Sequence, residues 1–236
     1  MRTSLKLSMR LLLAGALALM LTPAASARKG KHPTDVTEIL DHMNEAGKRL
    51  KTASANLEYT KVTVLVDDKS TEAGQLFFRQ GKPPEIRIDI QEPGAKILLF
   101  KKNRGYIYLP KINQVDEYNL EQKSDLVQQF LLLGFGSETG ELKKVYDVKY
   151  VKEEDMEGDT TALLELTPRK PNVAAQITKI DLWVSEDSWL PAQQKFYQSD
   201  GDYLIAHYSG VKVNRGIPGS KFDLDAPASA KRVMMN

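Results

Sequence analysis

A chain with three histidines and no cysteine has few ways to hold a metal or activate a nucleophile. His32 lies among basic residues near the start, His42 follows Asp41 in an amphipathic stretch, and His207 alternates with Ile205 where the pattern is that of a strand. No two of them have the spacing that puts ligands on one helical face. His207 therefore reads as a half-buried strand histidine. No Gly-x-Ser-x-Gly elbow is present to expose a nucleophilic serine. Gly134-Phe135-Gly136-Ser137, the nearest glycine-rich run, closes an apolar segment and reads as a helix C-cap, not a phosphate cradle. Asp67-Asp68 and Glu153-Glu154-Asp155 lack the spacing of a calcium loop and read as solvated turns. Neither catalysis, a metal nor a cofactor is expected, and a small secreted hydrolase is the least favoured function.

What the chain has in quantity is apolar side chains in periodic order. Leu76, Phe78, Ile86, Ile88, Ile90 and Leu99, with Phe130 and Leu133 from a segment apolar around much of its girth, are candidates to line an apolar ligand cavity. The same residues also suit an ordinary core, and periodicity does not separate the two readings.

The elements that would position them follow from changes of period. Asp35 and Glu38 have the spacing of a capping box, and Val36, Ile39, Leu40, Met43, Ala46 and Leu50 then form one stripe, so a helix runs to about Lys51. Leu57 and Tyr59 alternate on one parity and Val62, Val64 and Val66 on the other, which predicts one long strand with a bulge near Thr60. Turn signals at Gly81-Lys82-Pro83-Pro84, Glu92-Pro93-Gly94, Asn103-Arg104-Gly105 and Ser199-Asp200-Gly201 separate further short strands. Ser124–Phe135 reads as a mid-chain helix, followed by a short helical turn over Glu141–Tyr146. The total is mainly β (α+β): a half-open, strongly curved antiparallel β-barrel of about ten or eleven strands, with an N-terminal helix and a mid-chain lid helix.

Ahead of all this, Arg2, Lys6 and Arg10 precede the apolar run Leu11–Leu21 and the small residues Ala25-Ser26-Ala27, the layout of a cleaved secretory signal peptide. The expected organisation is a signal over 1–27, a flexible leader over 28–34 and a single domain over 35–230. Three of the 33 Lys and Arg residues fall in the signal, leaving 30 against 31 Asp and Glu. That balance points away from nucleic acid and an anionic membrane and toward an apolar ligand; with no second apolar segment of spanning length, stable membrane insertion is not expected, and a monomer is.

Taken in order along the chain, Leu57-Glu58-Tyr59-Thr60, Gly74-Gln75-Leu76-Phe77-Phe78, Ile86-Arg87-Ile88-Asp89, Tyr106-Ile107-Tyr108-Leu109-Pro110, Val127–Gly134, Trp189-Leu190-Pro191 and Phe222–Pro227 resemble the outer-membrane lipoprotein carrier family, the LolA-like periplasmic proteins. The resemblance implies a carrier of lipoprotein acyl chains, or of a related lipid, between an inner-membrane donor complex and an outer-membrane acceptor. It also implies a basic latch on lid carbonyls. Lys82 is the positional match, in place of the usual arginine, with Arg79 and Arg87 as substitutes; a lysine lacks the planar fork of arginine. An envelope sensor and a binder of another apolar ligand stay open as alternatives. The leader makes a direct prediction: fractionation and N-terminal sequencing should find a soluble exported chain beginning at Arg28, and uncleaved chain retained in membranes would contradict it.

Overall fold

The computed structural model describes residues 33–120, 133, 135 and 139–235. The expected signal over 1–27 and most of the expected mid-chain helix, Phe130 included, lie outside them. Helix α1, Val36–Arg49, begins where Asp35 Oδ1 accepts from the backbone N–H of Thr37 at 2.6 Å and of Glu38 at 3.3 Å. Those bonds, that to Thr37 first, hold the exposed Asp35 carboxyl below its ordinary range. Its apolar stripe buries Ile39, Leu40 and Met43.

The described strands form one sheet. In chain order they are β1 (Thr52–Thr63), β2 (Asp68–Arg79), β3 (Glu85–Glu92), β4 (Lys96–Lys101), β5 (Arg104–Leu109), β6 (Gln114–Asn119), β7 (Tyr146–Met156), β8 (Asp159–Pro168), β9 (Ile177–Ser185), β10 (Pro191–Gln198), β11 (Tyr203–Val213) and β12 (Lys231–Met235). Their spatial order is β12-β6-β5-β4-β3-β2-β1-β11-β10-β9-β8-β7, so the sheet is open, with β12 and β7 at its edges. All neighbours are antiparallel except β12, which runs parallel to β6. Helix α2, Thr139–Val145, leads into β7, and the short α3, Pro171–Ala174, fills the turn between β8 and β9.

Two details of β1 differ from expectation. The register irregularity lies between Ser54 and Asn56, against β11, rather than near Thr60. Val64–Val66 do not continue the strand but form an exposed 3-10 turn closed by Asp67 in the left-handed region, φ 51°. The β4–β5 hairpin turns as its sequence demands, with Lys102 and Asn103 both at positive φ.

Sheet alternation separates an apolar inner face on β2–β4 from an outer face that mixes apolar and charged residues. Phe78, Leu76, Ile86, Ile88 and Ile90 share the inner face by cross-strand register. Arg87 is paired with Phe77 on one side and Leu99 on the other, and Leu99 with Tyr106, so these occupy the outer face. After β11 the chain crosses that outer face as a strap before laying β12 beside β6. The strap's Phe222 is fully buried, with the Arg79 guanidinium 4.3 Å over its ring. Arg87, itself buried, donates to the carbonyls of Lys221 (3.1 Å) and Asp223 (2.8 Å) and to Asp225 Oδ2 (3.0 Å), while Asp89 takes its Nε. Burial works against the Arg87 charge, but Asp89 and Asp225 together hold its pKa above the ordinary value. Lys221 Nζ closes the network on Asp89 at 2.6 Å, and Lys101 Nζ donates to the Phe222 carbonyl at 2.9 Å.

Removing a buried, multiply bonded cation orphans every acceptor around it and costs about 3–5 kcal/mol. Arg87→Met should destabilise the fold by that order and speed hydrogen exchange over residues 219–235; Arg87→Lys, without the planar fork, should recover little of it. Unchanged exchange in both variants would mean that the strap is held by other contacts.

Candidate functional site: the apolar inner face

The inner face is built outward from β2 and β3. Leu76, Phe78, Ile86, Ile88 and Ile90 are all buried and join Ala53, Ala55 and Leu57 of β1 in one apolar cluster. Gly74, opposite Ile90, allows β2 to approach β3 closely, since a Cβ there would lie 2.1 Å from the Asp89 carbonyl oxygen. The small side chains of β1 leave room that Phe135 fills. Its ring meets Tyr208 edge-on at 5.3 Å and Phe78 at 6.5 Å between centroids. Leu133 is fully buried in the neighbouring cluster formed with α1 and β8–β10.

One polar side chain stands in this apolar surface. Gln194 of β10 shares the parity of Ala192 and Phe196 and is fully buried. Its Nε2 donates to the Leu133 carbonyl at 2.6 Å, and its Oε1 accepts from the Tyr208 hydroxyl at 3.5 Å. Burial pushes the Tyr208 phenol up, so it stays neutral and donates. Gln194 thus ties the stretch carrying Leu133 and Phe135 to the sheet. The only trace of this in the sequence is a polar residue at a buried parity.

The structure therefore brings together Leu76, Phe78, Ile86, Ile88 and Ile90, and sets Leu133 beside them. Leu99 stands on the opposite face, because its register partner is Arg87; there it helps line a pocket of ≈ 220 Å³ with Tyr106, Phe222 and Leu224. Arg79 and Arg87 likewise face the strap. Lys82 is exposed in the β2–β3 turn, with no hydrogen bond or ion pair among the described residues. The two described histidines are apart: His42 stacks on Trp189 at 4.3 Å, and His207 Nε2 lies 3.6 Å from Glu157 Oε1. Among the described residues no three metal-ligating side chains converge, and no helix is long and apolar enough to cross a membrane.

The described residues thus form an open sheet whose apolar inner face packs against α1 and the stretch carrying Leu133 and Phe135. A family model described as "Uncharacterized protein" matches residues 88–222, more than half of the chain, and the chain belongs to that family. It is 23% identical over 185 residues to the outer-membrane lipoprotein carrier protein of Bordetella avium (strain 197N), covering 78% of this chain and 83% of that protein. In fold it is similar to an uncharacterized conserved protein from Thermus thermophilus, with TM-score 0.56 and 11% identity over 84% of this chain and 98% of that one. It is also similar to the Pseudomonas aeruginosa MucA/MucB structure, with TM-score 0.51 and 14% identity over 80% of this chain and 61% of that one.

Losing the Gln194 donor leaves a buried carbonyl unsatisfied, at about 1–3 kcal/mol. Gln194→Leu should speed hydrogen exchange of the peptide carrying Leu133 and Phe135 about tenfold, while Lys82→Leu, at an exposed turn, should change it by less than about 0.5 kcal/mol. The reverse ranking would assign the anchoring role to Lys82.

Proposed function

We propose that this protein is a periplasmic carrier that shields the acyl chains of lipoproteins, or a related lipid, against its inner face and moves them toward the outer membrane. In this reading it takes its cargo from an inner-membrane donor complex and delivers it to an outer-membrane acceptor. The observation that supports the reading best is the continuous apolar face of Leu76, Phe78, Ile86, Ile88 and Ile90, against which Phe135 packs. The secretory layout of residues 1–27 and the likeness to the outer-membrane lipoprotein carrier protein of Bordetella avium agree with it.

The physics of the task suits such a face. Each buried methylene of an acyl chain is worth about 0.8 kcal/mol, so a lipid anchor leaves a membrane for water only at a prohibitive cost unless a protein replaces the bilayer. An apolar side chain such as Phe135, packed on this face, makes no hydrogen bond of its own and can give way to acyl chain without losing one.

An environment-sensitive dye should bind the purified protein and be displaced by an acylated peptide, but not by the same peptide without its chain. Ile88→Asn, which places an amide in the middle of the face, should weaken displacement at least tenfold. A second reading, a sensor that recognises protein segments, is favoured by the likeness to MucB, which has been solved with MucA. Equal displacement by the unacylated peptide would support that reading and count against the carrier.

A further inference from the structure

The β1–β2 turn exposes three consecutive aliphatic side chains, Val64 at 53%, Leu65 at 94% and Val66 at 67%. Isolated exposed apolar residues are ordinary on protein surfaces, but these are contiguous and stand at a tip. Residues Asp68–Glu72 of β2 pair with β1 alone, because pairing with β3 starts only at Ala73. On that side the hairpin therefore projects about five residues, or about 16 Å, past its neighbour. The tip is also pre-formed. Asp202 Oδ1 accepts from the Val64 N–H at 3.0 Å, and the Val64 carbonyl accepts from Asp67 N–H at 3.3 Å.

We infer that this tip is a membrane-contact element, in which Val64, Leu65 and Val66 dip into the interfacial zone of a zwitterionic bilayer. Three features select a bilayer over a protein partner. A convex tip of three side chains covers far less than the about 800 Å² per partner that a stable protein interface needs. Behind the tip lies a collar of the kind that sits at headgroup level: Tyr203, paired with Val62, neighbours Tyr197 at 6.2 Å, and Lys195 Nζ lies 3.9 Å over the Tyr203 ring. Ile112, in the β5–β6 turn at the same end of the sheet, is a further exposed aliphatic residue. Lys61 and Lys69 are offset by Asp67, Asp68 and Asp202, so the tip has no basic excess and anionic lipid gains nothing. The contact is weak and reversible, suited to visiting a membrane without entering it. It deepens the carrier reading and rests on it only for its purpose.

The absence of cysteine from the chain allows clean labelling. An NBD fluorophore on Leu65→Cys should shift to the blue and be quenched by shallow doxyl lipids when phosphatidylcholine vesicles are added; the same probe on Lys82→Cys, at the other end of β2, should do neither. Burying one leucine changes a partition by about tenfold or more. Leu65→Asn should therefore lower vesicle affinity by that factor, while Leu65→Phe retains it. A water-like probe at position 65 in vesicles, equal responses at 65 and 82, or a blue shift that follows protein concentration without lipid, the sign of self-association, would each overturn the inference. Acylated-peptide displacement by Leu65→Asn should match wild type. Failure of displacement in the wild type would defeat the carrier reading and leave the vesicle result standing.

Discussion

A strand places successive side chains on opposite faces, and in β2–β6 the inner set of β2–β4 is apolar while the outer set joins apolar Leu99, Tyr106, Tyr108 and Val115 to the charged Arg87 and Asp89 of β3. A sheet of that kind is stable in water only if each face is covered. Much of the remaining chain does this. Phe135, Leu133 and α1 cover the inner side, and the strap carrying Phe222 covers the outer side over Leu99 and Tyr106. The parallel strand β12 follows from the same requirement, because a chain that leaves β11 near the middle of the sheet must cross the outer face to reach β6.

The two covers are built differently. The strap is fastened by charge: Arg87 reaches two carbonyls and two carboxylates, and Lys101 and Lys221 add further bonds. On the inner side, among the described residues, the Phe135 ring meets Tyr208 and Phe78, Gln194 donates to the Leu133 carbonyl, and Asn214 Nδ2 donates to the carbonyl of Arg49 at the end of α1.

Much of this organisation was legible in the sequence. The cap at Asp35, the stripe of α1 and the alternation of Ile86, Ile88 and Ile90 act locally and appear where their patterns placed them, while the turn expected at Asn103-Arg104-Gly105 falls one residue earlier, on Lys102 and Asn103. What was not legible depends on register or on distant partners. Ile97-Leu98-Leu99-Phe100 is apolar throughout and carries no parity of its own, so only the pairing of Leu99 with Arg87 assigns it to the outer face. Val62, Val64 and Val66 alternate like a strand, but the chain reverses there, and the left-handed Asp67 ends the pattern. Gln194 looks like any polar strand residue until its position between Ala192 and Phe196 is known to be inward. The basic residues near the β2–β3 turn drew attention as a group, yet only the register separates Arg79 and Arg87, which meet the strap, from Lys82, which meets solvent.

The strap also imposes an order of events on the nascent chain. Its bonds join residues 121 to 138 positions apart in sequence, from Lys101–Phe222 to Arg87–Asp225, and none can form until the last tenth of the polypeptide is available. Closing loops of that length is slow relative to making hairpins such as β4–β5. During synthesis, the half-made sheet holds Leu99, Tyr106, Tyr108 and Val115 without their cover. That interval is when the molecule is most exposed to aggregation and most in need of a helper that shields apolar surface.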